Sequence, residues 1–260
     1  MTGSSPPALL GAMIAGLGTR DFPAALARVL RAAAPYDHTV IFACSAAARP
    51  RALFDDFPRK KRRIFVTDYQ AGPYLLDPFY LAAIQPVTPA LYRMRDLAPD
   101  RFYQGEYFRN YYVKTGLAEE IGYFVELGGG TMVVVSMMRE KKAFSMRDFA
   151  ALEAIRPVVE AAVARHWQLL PDTPPAKTGA DPESRPLERS FQDFAKGHLT
   201  ARERQVVEYT LKGYSAEALG RVLQISPGTV RIHRRNIYAK LGISSQGELF
   251  GRFIGTLTDS

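Results

Sequence analysis

The stretch from Ser215 to Gly242 constrains this chain more than any other, because it holds the start and stop signals of two helices set close together. Ser215 is a good N-cap, and the helix it opens should end near Leu223. Ser226 caps a second helix and Pro227 takes its first position, where a missing N–H costs nothing. Just upstream, Thr200 and Glu203 have the spacing of a capping box, and the helix they open should stop at Gly213. Three short capped helices in succession leave few options. They specify a small all-α module in which the last helix hides one side against the other two.

At about 100° per residue, Val230, Ile237 and Leu241 fall on one face of that last helix, with His233 and Arg234 at its margins. The opposite side carries Arg231, Ile232, Arg235 and Ala239, with Gly228 at the start. A small residue at the N-terminal end lets a helix sit deep in a groove. Two arginines about one turn apart can then reach base edges or phosphates of a duplex. Thr200, Ser226, Thr229, Asn236 and Lys240 are candidates for contacts to phosphate, and Arg234 is counted with the DNA-facing set.

Charge points the same way. The 260 residues carry 34 Lys+Arg against 26 Asp+Glu, a formal net charge of +8, which favours an anionic partner. A single cysteine, Cys44, excludes an internal disulfide framework. His38, His166, His198 and His233 have no metal-ligand spacing among them, and neither a nucleophile elbow nor a dinucleotide fingerprint is present. The expectation is therefore no metal, no cofactor and no enzymatic activity. No apolar run reaches the roughly 18 residues of a membrane span and no signal peptide is readable, so a cytoplasmic protein is expected.

Upstream of the capped helices the pattern changes. Phe22 to Ala33 reads as an amphipathic helix, His38 to Cys44 as a buried strand, and Arg51 to Phe54 as its partner. Arg59 to Arg63 is a five-residue basic run, either a solvated face or a contact to phosphate or membrane. Phe65 to Ile84 reads as a helix interrupted at Pro73 and Pro78, and Leu91 to Met94 as a short strand. A highly aromatic helix follows over 101–115. Glu120 to Leu127 and Thr131 to Met138 form a hairpin through Gly128, Gly129 and Gly130. Ser145 and Asp148 open a long helix to about Leu170, bent at Pro157. Helices around antiparallel strands give an α+β front domain over 1–170, an α-β-α sandwich. A Pro-, Asp- and Ser-rich linker over 171–190 leads to an all-α domain over 191–260.

The C-terminal pattern resembles the LuxR-type (GerE-like) helix-turn-helix family over roughly 196–257. The matching positions are Leu199, Thr200, Arg202, Glu203, Gly213, Ser215, Leu223, Ile225, Ser226, Thr229, Val230, Arg231, His233, Ile237, Lys240, Leu241 and Gly242. Ala218 departs from the family, which usually has Glu there, and Glu217 stands one position earlier. The resemblance implies a four-helix DNA-binding domain with Arg231, Ile232 and Arg235 facing the bases. It also implies a last helix used for dimer contact. The stripe Leu249, Phe250, Phe253, Ile254 and Leu257 either closes the small core or pairs across a two-fold axis.

Paired carboxylates and a phosphoacceptor aspartate in a parallel α/β repeat would mark a receiver domain, and neither is found in the front half. Phe65, Tyr69, Asp77-Pro78, Tyr92 and Gly116 instead look like the autoinducer-binding domain of quorum-sensing members of the family, a GAF/PAS-like fold. That resemblance implies an aromatic cage around an acyl-homoserine lactone, with Asp77 accepting the ligand's amide proton. Phe65 and Tyr92 stand where the family has tryptophans, and phenyl lacks the indole N–H that meets the lactone carbonyl. A small molecule other than a standard acyl-homoserine lactone is expected. Asp77 either accepts from a ligand or caps a turn before Pro78. Tyr69, Tyr74, Tyr80, Tyr92, Phe108 and Tyr112, with Phe65, either line a pocket or pack a core. The expected whole is a homodimeric transcriptional regulator that binds double-stranded promoter DNA and a small-molecule effector, with RNA polymerase as a candidate protein contact. The alternative keeps the DNA reader and makes the front domain a ligand-independent dimerisation or protein-interaction module.

Overall fold

A computed structural model describes residues 5–170 and 186–258. In chain order the front half runs α1 (Pro6–Ala15), α2 (Phe22–Ala33), β1 (His38–Ser45), β2 (Ala48–Asp55), α3 (Arg59–Arg62), α4 (Pro78–Ala83), β3 (Leu91–Arg93), α5 (Met94–Leu97), α6 (Val113–Thr115), β4 (Glu119–Gly128), β5 (Thr131–Arg139) and α7 (Met146–Gln168). Wider π-type turns occupy Arg63–Asp68 and Phe108–Tyr112, so the expected helices over 65–84 and 101–115 are each broken into short pieces. Pro73 and Pro78 account for the first break, since each opens a new turn at its own N-terminus.

The five strands form one antiparallel sheet in the order β2-β1-β5-β4-β3. Alternation along the strands splits the core in two. Ile41, Ile121, Tyr123, Val133, Val135 and Met137 face α2 and α7, where Phe22, Leu26, Leu30, Leu152, Val159 and Trp167 meet them. Val40, Phe42, Phe124, Val134 and Met138 face the other way, towards α4 and the aromatic segments around Tyr69 and Tyr107. Gly122 lies on this second face, and a Cβ there would come within 2.7 Å of the Phe79 ring, so the bare backbone is what lets α4 lie flat on the sheet. Helix α7 opens with the expected reciprocal cap. The Asp148 amide donates to Ser145 Oγ at 3.1 Å, and Asp148 Oδ2 accepts from the Ser145 amide at 2.8 Å. The helix stays continuous through Pro157.

The C-terminal part comprises α8 (Pro186–Asp193), α9 (Ala201–Leu211), α10 (Ala216–Leu223), α11 (Pro227–Leu241) and α12 (Gln246–Thr258). Helix α8 occupies the end of the segment expected to be linker, and 171–185 lies outside the described residues. The caps are the anticipated ones: Thr200 with Glu203, Ser215 accepting from the Ala218 amide at 3.0 Å, and Ser226 accepting from the Thr229 amide at 3.0 Å. The α12 stripe is covered within the chain. Leu249 and Phe253 are buried, Phe253 stacks on Phe191 at 4.6 Å, and Leu257 lies over Gly72. Leu249, Phe250 and Phe253 thus close the core, while Ile254 and Leu257 are half-buried.

The two halves touch at a defined seam. The Arg101 amide donates to the Gly213 carbonyl at 3.0 Å, and the Ser215 amide donates to Asp100 Oδ1 at 3.0 Å. Gly213 sits at φ +95°, and a Cβ there would lie 2.8 Å from the Phe102 Cα. Only glycine allows both that backbone and that approach.

Candidate functional site

Helix α11 divides as its periodicity requires. Val230, Ile237 and Leu241 are buried, while Arg231, Ile232, Arg235, Asn236 and Ala239 are exposed, and Ile232 keeps 51% of its surface in solvent. Ile232 thus lies between two guanidinium groups on the open face of the helix. Gly228 is exposed at the start of the helix, and a Cβ there would meet nothing nearer than Ser226 Oγ at 3.5 Å. Arg231 pairs with Glu217 of α10 at 2.6 Å, both side chains about half or more exposed. The acid displaced from position 218 thus reaches the outward face, while Ala218 is buried.

Arg234, Lys240 and Thr200 are tied to other elements or caps of the domain. The Arg234 guanidinium donates from Nε to Thr210 Oγ1 at 3.1 Å and from Nη2 to the Tyr214 carbonyl at 3.0 Å. That corrects its assignment to the DNA-facing set: it ties α11 to α9 and to the turn before α10. Lys240 Nζ lies 2.8 Å from the buried Glu203 carboxylate, which holds that carboxyl below its ordinary value despite the opposing effect of burial. Thr200 Oγ1 is occupied in the cap of α9. Ser226 and Thr229 share a hydroxyl contact at 2.8 Å at the N-terminus of α11, where the Thr229 and Val230 amides already donate to Ser226.

In the front half, a cavity lies between the second face of the sheet and the aromatic segments. It is narrow, a cavity of about 40 Å³. Phe42 and Cys44 of β1 line it, with Glu120 of β4, Val134, Ser136 and Met138 of β5, and Phe65, Tyr69, Asp77, Phe79, Tyr80, Met94, Tyr107, Tyr112 and Thr115. Of the eight candidate ligand residues, Phe65, Tyr69, Asp77, Tyr80 and Tyr112 thus share one wall. Tyr74 backs it, edge-on to Tyr80 at 4.9 Å, and Phe108 backs it by stacking on Tyr112 at 5.1 Å. Tyr92 lies apart: its ring meets the edge of Phe124, and its hydroxyl donates to the Thr88 carbonyl at 2.8 Å.

Of the two roles considered for Asp77, the structure shows the cap, and its second oxygen is turned to the cavity. Its Oδ1 accepts from the Phe79 amide at 2.9 Å and caps α4, while its Oδ2 accepts from Tyr69 Oη at 2.5 Å on the cavity wall. Burial raises its pKa to about 6 against the lowering effect of these two donors. Glu120, which the sequence reading passed over as a strand residue, lies across the same cavity at 7% exposure. Burial, reinforced by repulsion from Asp77, pushes its carboxyl up to about 8, opposed by a hydrogen bond from Ser136. Its neighbour Glu119 faces the other way and is neutralised by Arg93 at 2.7 Å. Strand alternation was the signal that could have found Glu120, since it shares a face with Phe124. Burial, followed by the nearby carboxylates, holds the Tyr69 and Tyr112 phenols well above their usual range, so they stay neutral donors.

Residues 197–251 match the family model described as "Bacterial regulatory proteins, luxR family". A protein of Aeromonas salmonicida described as "Putative HTH-type transcriptional regulator in exeN 3'region" is 31% identical over 189 residues, covering 70% of this chain and 94% of that protein. The chain belongs to the LuxR family of regulatory proteins. It is also similar to the monoamine regulon transcriptional regulator of Klebsiella aerogenes, at 26% identity over 56% of this chain and 54% of that one. The crystal structure of the VqsR LBD domain from Pseudomonas aeruginosa aligns with a TM-score of 0.56 at 24% identity, covering 63% of this chain and 96% of that domain. This LuxR-family chain is thus a DNA-binding transcriptional regulator, and its N-terminal domain shares the fold of the VqsR domain. Among the described residues, no helix is long and apolar enough to cross a membrane, and no three His, Cys, Asp or Glu side chains are grouped to hold a metal.

Proposed function

We propose that this regulator grips double-stranded promoter DNA as a homodimer through α11, with Arg231, Ile232 and Arg235 in the major groove and Ser226, Thr229 and Asn236 near phosphates. A small effector held in the front cavity shifts the population that can do so. The observation that carries the effector half is the position of the cavity wall. Met94 and Tyr107 both line the cavity, and the chain between them supplies Asp100, Arg101 and Phe102 to the seam with Gly213 and Ser215. Displacing either side chain loads the very loop that holds the N-terminus of α10.

The effector in this reading is not a standard acyl-homoserine lactone. Phe65 offers no donor to a lactone carbonyl, and the Tyr92 hydroxyl is engaged outside the cavity. The name of the Klebsiella relative concerns a monoamine regulon, and this chain spans about half of that protein. A second reading, in which the front domain serves dimerisation or protein contact without a ligand, draws on the narrowness of the cavity.

Fluorescence anisotropy on a labelled promoter fragment tests the proposal. Affinity should fall steeply and linearly in log–log form with salt, as expected when several phosphates are neutralised. A cell metabolite extract should change that affinity. Salt-insensitive or absent binding with and without extract would reject the reading.

A further inference from the structure

We propose that the front cavity binds a small organic ammonium ion, its charge held between Asp77 and Glu120 and its carbon skeleton against the surrounding tyrosine and phenylalanine rings. This rests on the ligand-sensing reading above and names the class of effector. Two carboxyl groups, 9% and 7% exposed, line one narrow cavity. Among the described residues no Lys, Arg or His acts on either: the partners of Asp77 are the Tyr69 hydroxyl and the Phe79 amide, and Glu120 has the Ser136 hydroxyl and the repulsion of Asp77. Glu119, on the opposite face of the same strand, is by contrast answered by Arg93 at 2.7 Å.

Buried charge without a counter-ion is expensive, and buried acids persist where a partner completes them. A carboxylate has about four acceptor sites, and Glu120 has one of them filled by a hydroxyl, leaving the group able to receive further N–H donors. The rings of Phe65, Tyr69, Tyr80, Tyr107 and Tyr112 present π-systems that attract cations. A divalent metal does not fit as well, since among the described residues no third His, Cys, Asp or Glu joins the two acids. An alkyl- or arylalkyl-ammonium matches both features: N–H donors for two carboxylates and an apolar body for the rings.

The test is calorimetry at pH 8 with the full-length chain, titrating n-hexylamine and 2-phenylethylamine beside their neutral isosteres n-hexanol and 2-phenylethanol, with N-hexanoyl-homoserine lactone as a neutral acyl probe. Each amine should bind at least about tenfold tighter than its alcohol, and E120Q, shown folded by its thermal melt, should erase that preference. Equal binding of amine and alcohol, or no amine binding tighter than millimolar, overturns the ammonium class. If the lactone then binds and shifts DNA affinity, ligand sensing stands with a neutral effector. If neither it nor a metabolite extract changes DNA affinity, the sensing reading falls as well.

Discussion

Replacing Glu120 by glutamine isolates the consequence of an acid buried without a cation. The folded chain holds the Glu120 proton up to about pH 8, whereas an unfolded glutamate releases it near 4.5. Between those values the folded state binds the extra proton, so this group's contribution to stability is fully present below about pH 4.5 and is lost as pH rises through about 8. Asp77, raised from 3.8 to about 6, acts with the same sign over a lower window. A factor of about ten in proton affinity is worth about 1.4 kcal/mol, which sets a ceiling for Glu120 of about 5 kcal/mol. Part of that rise is repulsion from Asp77, so a gain on the order of 2–4 kcal/mol for the variant is the working figure. Glutamine keeps the shape and can still accept from Ser136. E120Q should therefore match the wild type near pH 5 and exceed it by that amount at pH 9. Urea titration followed by fluorescence of Trp167, the single tryptophan and buried in the front domain, gives the comparison, and groups common to both proteins, Asp77 apart, cancel in the difference. Parallel stability curves from pH 5 to 9, or a variant weaker than wild type at pH 9, would refute the reasoning.

Three further outcomes are expected. Arg235→Ala should weaken DNA binding by about 1–3 kcal/mol with an unchanged melting temperature, because the side chain is exposed and, in the proposed complex, meets the groove; equal losses in both measurements would contradict it. Arg234→Ala should instead lower stability by about 1–3 kcal/mol, because it removes the donors to Thr210 and Tyr214, and an unchanged melt with weakened DNA binding would return Arg234 to the DNA-facing set. Gly213→Ala should strain the seam by about 1–3 kcal/mol and speed hydrogen exchange at the Arg101 and Ser215 amides, which donate across it; exchange as slow as in the wild type would mean the seam does not hold in solution.

What the sequence made legible was local. The caps at Thr200, Ser215 and Ser226 are chemistry between residues three apart, and the buried face of α11 follows from helical period alone. The hairpin of β4 and β5 and the antiparallel α+β layering were readable for the same reason. Long-range facts were not. Arg234 lies at the margin of a helix face, and only the position of Thr210 and Tyr214 decides that it turns inward. Tyr92 was grouped with the cavity residues by family spacing, yet its register opposite Gly122 on the edge strand β3 sets it beside Phe124. Glu120 was hidden because a sequence gives no counter-ion inventory: Glu119 and Glu120 look alike until the fold gives Arg93 to one and Asp77 to the other. The docking of Phe102 on Gly213 pairs residues more than a hundred positions apart, beyond any pattern in the chain.

The central claim is that the open face of α11 reads DNA sequence. Selection of double-stranded fragments from a random library with the full-length chain, with and without metabolite extract and beside an Arg231→Ala, Arg235→Ala double variant, tests it most directly. The wild type should enrich a two-fold symmetric motif that the double variant fails to enrich. Enrichment of the same motif by both proteins, or of none by the wild type under either condition, would contradict the account.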